Sequence, residues 1–155
     1  MNFLELFKKS NFKPLKYNGK MIFIADVLPV FELINYKVEF VKTNSNWEQG
    51  IFFHFKGAHF EINDERESIN AFHLWQTESK QSNFFRILNK GKSEFKVWNI
   101  WRIENGPMKY GTNGGAMYKE LSSNGAKYFC NDGKPDDDFD DLIFEIKWKL
   151  SNEEK

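Results

Sequence analysis

The chain has 155 residues, of which 41% are hydrophobic and 17% aromatic, with 17 Phe and 5 Trp, enough apolar material for one domain built around bulky rings. Lys plus Arg equals Asp plus Glu at 22 each, so no global field draws in nucleic acid, an anionic membrane or a uniformly charged partner. The single cysteine, Cys130, excludes an internal disulfide and multi-cysteine zinc or iron–sulfur sites.

The first residues, MNFLELFKKS, lack the basic segment, apolar core and small-residue cleavage site of a secretory leader, which sets the expected location as cytoplasmic. Asn2–Lys9 places Phe3, Leu4, Leu6 and Phe7 at helical spacing, with Asn2 as N-cap and Lys8 and Lys9 in the last turn. Pro14 and Asn18-Gly19 break the pattern, so residues 1–20 read as a helical and irregular lead-in to a β domain over 21–150. Met21–Val27 follows as an apolar run with the look of a buried strand.

From there period-2 alternation recurs. Tyr36, Val38 and Phe40 alternate with Lys37 and Glu39, and Ile51–Phe55 and His59–Ile62 read as a hairpin around Lys56-Gly57-Ala58. Asn63–Glu67 is an acidic turn, and Asn70–Glu78 alternates with rings on both faces. Phe84–Leu88 and Glu94–Ile103 read as a second hairpin closed by Asn89–Ser93, NKGKS, and the latter strand as central, with Trp98 and Ile100 opposite Phe95, Val97, Asn99 and Trp101. Glu104–Gly115, with Gly106, Pro107, Gly111, Gly114 and Gly115, is a long irregular loop. Ala116–Leu121 and Ala126–Cys130 flank a Ser-Ser-Asn-Gly turn, and Leu142–Leu150 shows the cleanest alternation, while the charged tail Ser151–Lys155 frays. The count of short strands predicts a single all-β domain over 1–155, an antiparallel β-sandwich or curved barrel with a short N-terminal helix.

The unusual chemistry is concentrated in Asn131–Asp141, NDGKPDDDFDD. Asp132, Asp136, Asp137, Asp138, Asp140 and Asp141 are the candidate binding residues, either for a basic partner or for Ca²⁺, which takes six to eight oxygens in flexible geometry. The EF-hand spacing is missing, and a solvated turn with Phe139 plugging the core accounts for the same residues. Trp47, between Asn46 and Glu48, is the tryptophan expected at the surface and joins the aspartates as a candidate binding residue, and the other four are expected in the core.

No catalytic set is legible. Pro135-Asp136 with Glu145-x-Lys147 has the residue types of a Mg²⁺-dependent nuclease, but too little chain separates the halves for both carboxylates to reach one metal from adjacent strands. His54, His59 and His73 have no metal-site spacing, though a hairpin would bring the first two together. Cys130 has no neighbouring histidine to raise its thiolate fraction. P-loop, dinucleotide and G-x-S-x-G signatures are absent from the sequence.

Asp136-Asp137-Asp138-Phe139-Asp140-Asp141-Leu142 is similar to the D-x-D-F-x-D-L signature that opens the last strand of several bacterial β-sandwich families. Val97-Trp98-Asn99-Ile100-Trp101 followed by Met117, Glu120 and Tyr128–Gly133 resembles small bacterial proteins of the kind encoded beside polymorphic toxins. The resemblance covers the C-terminal half and implies an immunity or interaction protein without established active residues. The expectation is therefore a non-enzymatic module without a required cofactor, binding a protein partner through its acidic loop. A Ca²⁺-dependent carbohydrate- or ligand-binding sandwich is the alternative.

Overall fold

Asn2 starts α1 (Phe3–Lys9), the one helix among the described residues: its side chain accepts the Leu4 amide at 3.1 Å, with Glu5 in the first turn and Lys8 and Lys9 in the last. The spacing of four puts Phe3 and Phe7 on one face, and both are fully buried. The computed structural model describes residues 2–28, 34–62, 65–66, 70–134 and 137–150, excluding the side chains of Ile34, Leu150 and residues 57–62, 65–66 and 88–93. The tail 151–155 and most of the acidic turn expected at 63–67 lie outside the described residues.

β1 (Leu15–Tyr17) and β2 (Lys20–Ile22) form a hairpin closed by Asn18-Gly19, both at positive φ as a tight primed turn demands. The buried strand expected over Met21–Val27 is split. Ile22 is buried but Met21 and Val27 are exposed, because the chain bends at Ile24-Ala25 before β3 (Asp26–Leu28). β4 (Ile34–Thr43) turns Tyr36, Val38 and Phe40 inward as its alternation requires.

Neither hairpin expected in the middle of the chain exists. Residues 48–62 are one strand, β5 (Glu48–Ile62), and residues 82–102 are another, β8 (Ser82–Arg102), which pair antiparallel along both their halves. The register shifts between Lys56 and Ala58, where Gly57 faces the stretch between Asn89 and Glu94 on β8. The glycine and the NKGKS run therefore mark a bend that both strands make together, not a reversal of the chain. Between them come β6 (Glu65–Arg66) and β7 (Ala71–Trp75). β9 (Ala116–Ser122), β10 (Gly125–Asn131) and β11 (Leu142–Leu150) complete the fold close to their expected limits.

The main sheet runs β6-β5-β8-β4-β11-β10-β9, with β7 added to β5 and β3 to β8. The shared bend folds this sheet into two layers. Residues 48–56 of β5 and 94–102 of β8 lie with β7 and β3, while their other halves continue into β4, β11, β10 and β9. The result is a sandwich, not a closed barrel.

Rings from both layers fill the interior. Phe53 lies 5.3 Å from Phe85 and 4.7 Å from Phe72, and Tyr36 stacks on Phe85 at 5.0 Å and meets Phe95 at 5.3 Å. A second, smaller core lies on the outside of the second layer. There α1 and the β1–β2 hairpin bury Phe3, Phe7 and Ile22 with Ala116 and Phe139, packed against the stacked pair Tyr118 and Phe129. Among the described residues, no helix is long and apolar enough to cross a membrane.

Candidate functional site

The acidic loop leaves β10 at the end of the sandwich, and its first residues point inward. Asn131 and Asp132 are fully buried. The Asp132 carboxylate accepts from Ser45 Oγ at 2.6 Å, Gln49 Nε2 at 3.0 Å and the Lys134 amide at 2.9 Å, while its own amide donates to Asp141 Oδ2 at 2.9 Å. Asn131 Oδ1 accepts from the Phe139 amide at 2.7 Å, and the Asn131 carbonyl accepts from Asn99 Nδ2 at 2.9 Å. Buried polar groups are mostly paired, and here the pairs tie the loop to the start of β5 and to β8, leaving Asn131 Nδ2 and Gln49 Oε1 without a partner among the described residues. Gly115 and Gly133 border the buried Trp101, and a Cβ on Gly115 would stand 2.5 Å from its ring.

The loop then breaks strand alternation, with Asp137 and Phe139 at φ of 62° and 55°. The break swings Phe139 inward, 5.6 Å from Phe3 and 5.3 Å from Tyr118, so it plugs the small outer core and not the main one. Tyr17 donates its hydroxyl to Asp137 Oδ2 at 3.0 Å, a bond that raises the Tyr17 pKa above its ordinary value.

The candidate acids therefore do not share one surface. Asp132 and Asp141 are buried and committed to internal hydrogen bonds, Asp137 and Asp140 are half-buried, Asp138 is exposed, and Asp136 lies outside the described residues with Pro135. Trp47 is half-buried, not exposed as expected, with the Lys134 ammonium 4.9 Å from its ring centre. A polar groove of about 380 Å³ opens beside the loop, lined by Thr43, Asn44, Ser45, Asn46, Lys134 and Asp141.

Oxygens of Asp138, Asp140 and Asp141 come within 4.8 Å of one another. Three ligands are about half of what Ca²⁺ takes, and Asp141 Oδ2 already accepts the Asp132 amide while Asp140 Oδ2 accepts from Asn44 at 3.0 Å with Lys42 at 4.0 Å. Millimolar Ca²⁺ is accordingly expected to leave the melting temperature unchanged in scanning calorimetry. A rise of several degrees that Asp138→Asn removes would show that these oxygens do form a site.

Cys130 is fully buried, and burial, followed by the nearby Asp141 charge, pushes its thiol well above the ordinary value. On the inner edge Asp26 accepts from Lys119 at 2.8 Å and from the Tyr128 hydroxyl at 2.6 Å, fastening β3 to β9 and β10. His54 and His59 lie along one strand, so no hairpin brings them together, and the His59 side chain lies outside the described residues.

The outer face of the first layer carries a feature that the sequence reading placed in the core. Trp98 is half-buried there and stacks on its cross-strand neighbour Phe52 at 4.7 Å and 15°. His73 continues the row at 6.2 Å from Phe52, and Tyr110, from the glycine-rich loop, leans on Trp98 at 5.8 Å and 45°. The stacked His73, Phe52 and Trp98 rings run across three strands, and the Tyr110 ring is largely exposed. At one end Trp75 folds over Gly50, where a Cβ would approach the indole to 2.8 Å, and is covered by Arg102 at 4.3 Å. Arg102 is itself held by Glu48 and, at 2.8 Å, by Glu78.

At the other end a cleft of about 280 Å³ is bounded by Ile24, Ala25, His54, Lys96, Trp98 and Tyr110. Alternation along β8 does turn Trp98 away from Phe95 and Val97. What the sequence did not supply is that, among the described residues, the layer's far side remains open at this point. Comparison with family models, with curated proteins and with solved structures finds no match for this chain.

Proposed function

We propose that the protein is a non-enzymatic protein-interaction module of the toxin-immunity kind, whose partner seats on the outer face of the first layer around Trp98. The observation that carries this reading is the open cleft beside the Phe52–Trp98–Tyr110 row. Interfaces draw their affinity from a few aromatic anchors in partly desolvated pockets, and rings already fixed by stacking lose little entropy when a partner covers them. The cleft's volume lies at the foot of the roughly 300–1,000 Å³ range of ligand pockets, which suits one or two side chains of a protein better than an enclosed small molecule. The resemblance of the C-terminal half to proteins encoded beside polymorphic toxins supplies the class of partner.

The acidic loop contributes less to this surface than its composition promised, because two of its carboxylates serve the fold. Asp138 and Asp140 remain as rim contacts for basic groups, a role that affects association rate and salt dependence more than affinity. The test is calorimetric titration with the toxin encoded beside this gene. Tyr110→Ala, which removes a largely exposed ring, is expected to weaken binding by roughly thirtyfold or more, the mark of a hot spot. Unchanged affinity in Tyr110→Ala and Trp98→Phe, or the absence of any toxin gene alongside, would overturn the reading.

A further inference from the structure

Unpaired amides and carbonyls at a sheet edge template further pairing unless charge, brevity or a covering segment blunts them. Most of the described edges are blunted. β6 is two charged residues, β3 is three residues with Asp26 held by Lys119, β9 carries Lys119 and Glu120, and the β1–β2 hairpin carries Lys16 and Lys20. β7 differs. Its five residues, AFHLW, include no Lys, Arg, Asp, Glu or Pro, and among the described strands it pairs with β5 alone.

The direction of its backbone groups follows from two hydrogen bonds. Phe55 donates to the Asn70 carbonyl at 2.7 Å and the Gln76 amide donates to the Gln49 carbonyl at 2.9 Å. Even-numbered residues of this segment therefore bond to β5, and alternation turns the amides and carbonyls of Ala71 and His73, with the Trp75 amide, toward the open side. The Trp75 carbonyl is taken by the Glu78 amide at 3.1 Å. On the core side Phe72 and Leu74 remain only partly buried, so apolar surface as well as backbone is left at this edge.

We propose that β7 is the interface of a two-fold dimer, pairing antiparallel with β7 of a second copy of this chain. Bonding residues must oppose bonding residues, so an axis between the two His73 residues pairs them with each other and gives each Trp75 amide the second copy's Ala71 carbonyl, while the Ala71 amide shares the Trp75 carbonyl that Glu78 also takes. In that register Phe72 lies beside the second copy's Leu74, which carries the apolar interior across the axis. On the outer side Trp75 meets the second copy's Ala71, large against small, and no like charges face one another. The dimer is independent of the binding reading above.

The experiment is sedimentation equilibrium of the whole chain over a wide concentration range. The wild type is expected to rise toward twice the monomer mass. His73 is exposed, so His73→Lys and His73→Glu leave the circular dichroism spectrum intact, yet each is expected to stay at monomer mass because like charges then meet at the axis. An equimolar mixture of the two variants is expected to return to the dimer, since Lys and Glu now oppose each other. A wild type that remains monomeric at the highest concentration, a dimer that persists in both single variants, or a mixture that stays monomeric would each overturn the proposal.

Discussion

Asp132→Ala is expected to lower the stability to urea unfolding by about 4 kcal/mol, more than any exposed substitution in the chain. The carboxylate is fully buried and accepts from Ser45, Gln49 and the Lys134 amide. Removing it takes three hydrogen bonds to a charged acceptor and leaves the buried Gln49 amide a donor short, while Ser45 and Lys134 border the polar groove, where water replaces the lost acceptor. Asp132→Asn keeps the volume but turns an amide toward the Ser45 and Gln49 donors, so an intermediate loss follows. A loss below about 1 kcal/mol for the alanine variant would mean that the loop is not held by this network.

Phe139→Ala carries the second large effect, a loss of about 3 kcal/mol, at the low end for phenylalanine truncations because the ring plugs a small core near the surface. The loss is expected to be local in its first consequences. Phe139 touches Phe3 and Tyr118, so α1 loses its seat before the main sandwich opens, and amide exchange in residues 3–9 should accelerate ahead of exchange in β10 and β11. Asp138→Asn, at an exposed position two residues from Asp140, is the control and is expected to stay within about 0.5 kcal/mol of wild type. Uniform exchange throughout the Phe139→Ala variant would show that the small core is not a separate unit.

These two residues also show what the sequence made legible. That Phe139 must leave the alternation of its strand followed from register alone, because a straight strand would bury carboxylates under an exposed ring. The destination of the ring did not follow, since α1 and the β1–β2 hairpin are remote in sequence. Asp132 was harder to read. In a run of six aspartates each looks like surface charge, and only the folded chain brings up Ser45 and Gln49 as donors.

The same division holds for the strands. β4, β11 and the β9–β10 hairpin were readable because alternation and turn chemistry are local. Gly57 and the NKGKS run were not, since a glycine in a polar stretch serves a reversal and a bend equally well. The choice was made by the pairing of β5 with β8 across both halves.

The pairing of β4 with β11 has a further consequence for a chain made from its N-terminus onward. The two strands lie roughly a hundred positions apart, and α1 and the β1–β2 hairpin rest on Tyr118, Phe129 and Phe139, so contacts of high sequence separation dominate the closure of both cores. Phe3 and Phe7 leave the ribosome well before Tyr118, Phe129 and Phe139, and stay without that cover until those residues follow. Nor can β4 acquire its β11 neighbour until the final strand is out. The fold is thus committed to closing late, with α1 and β11 meeting on the same layer.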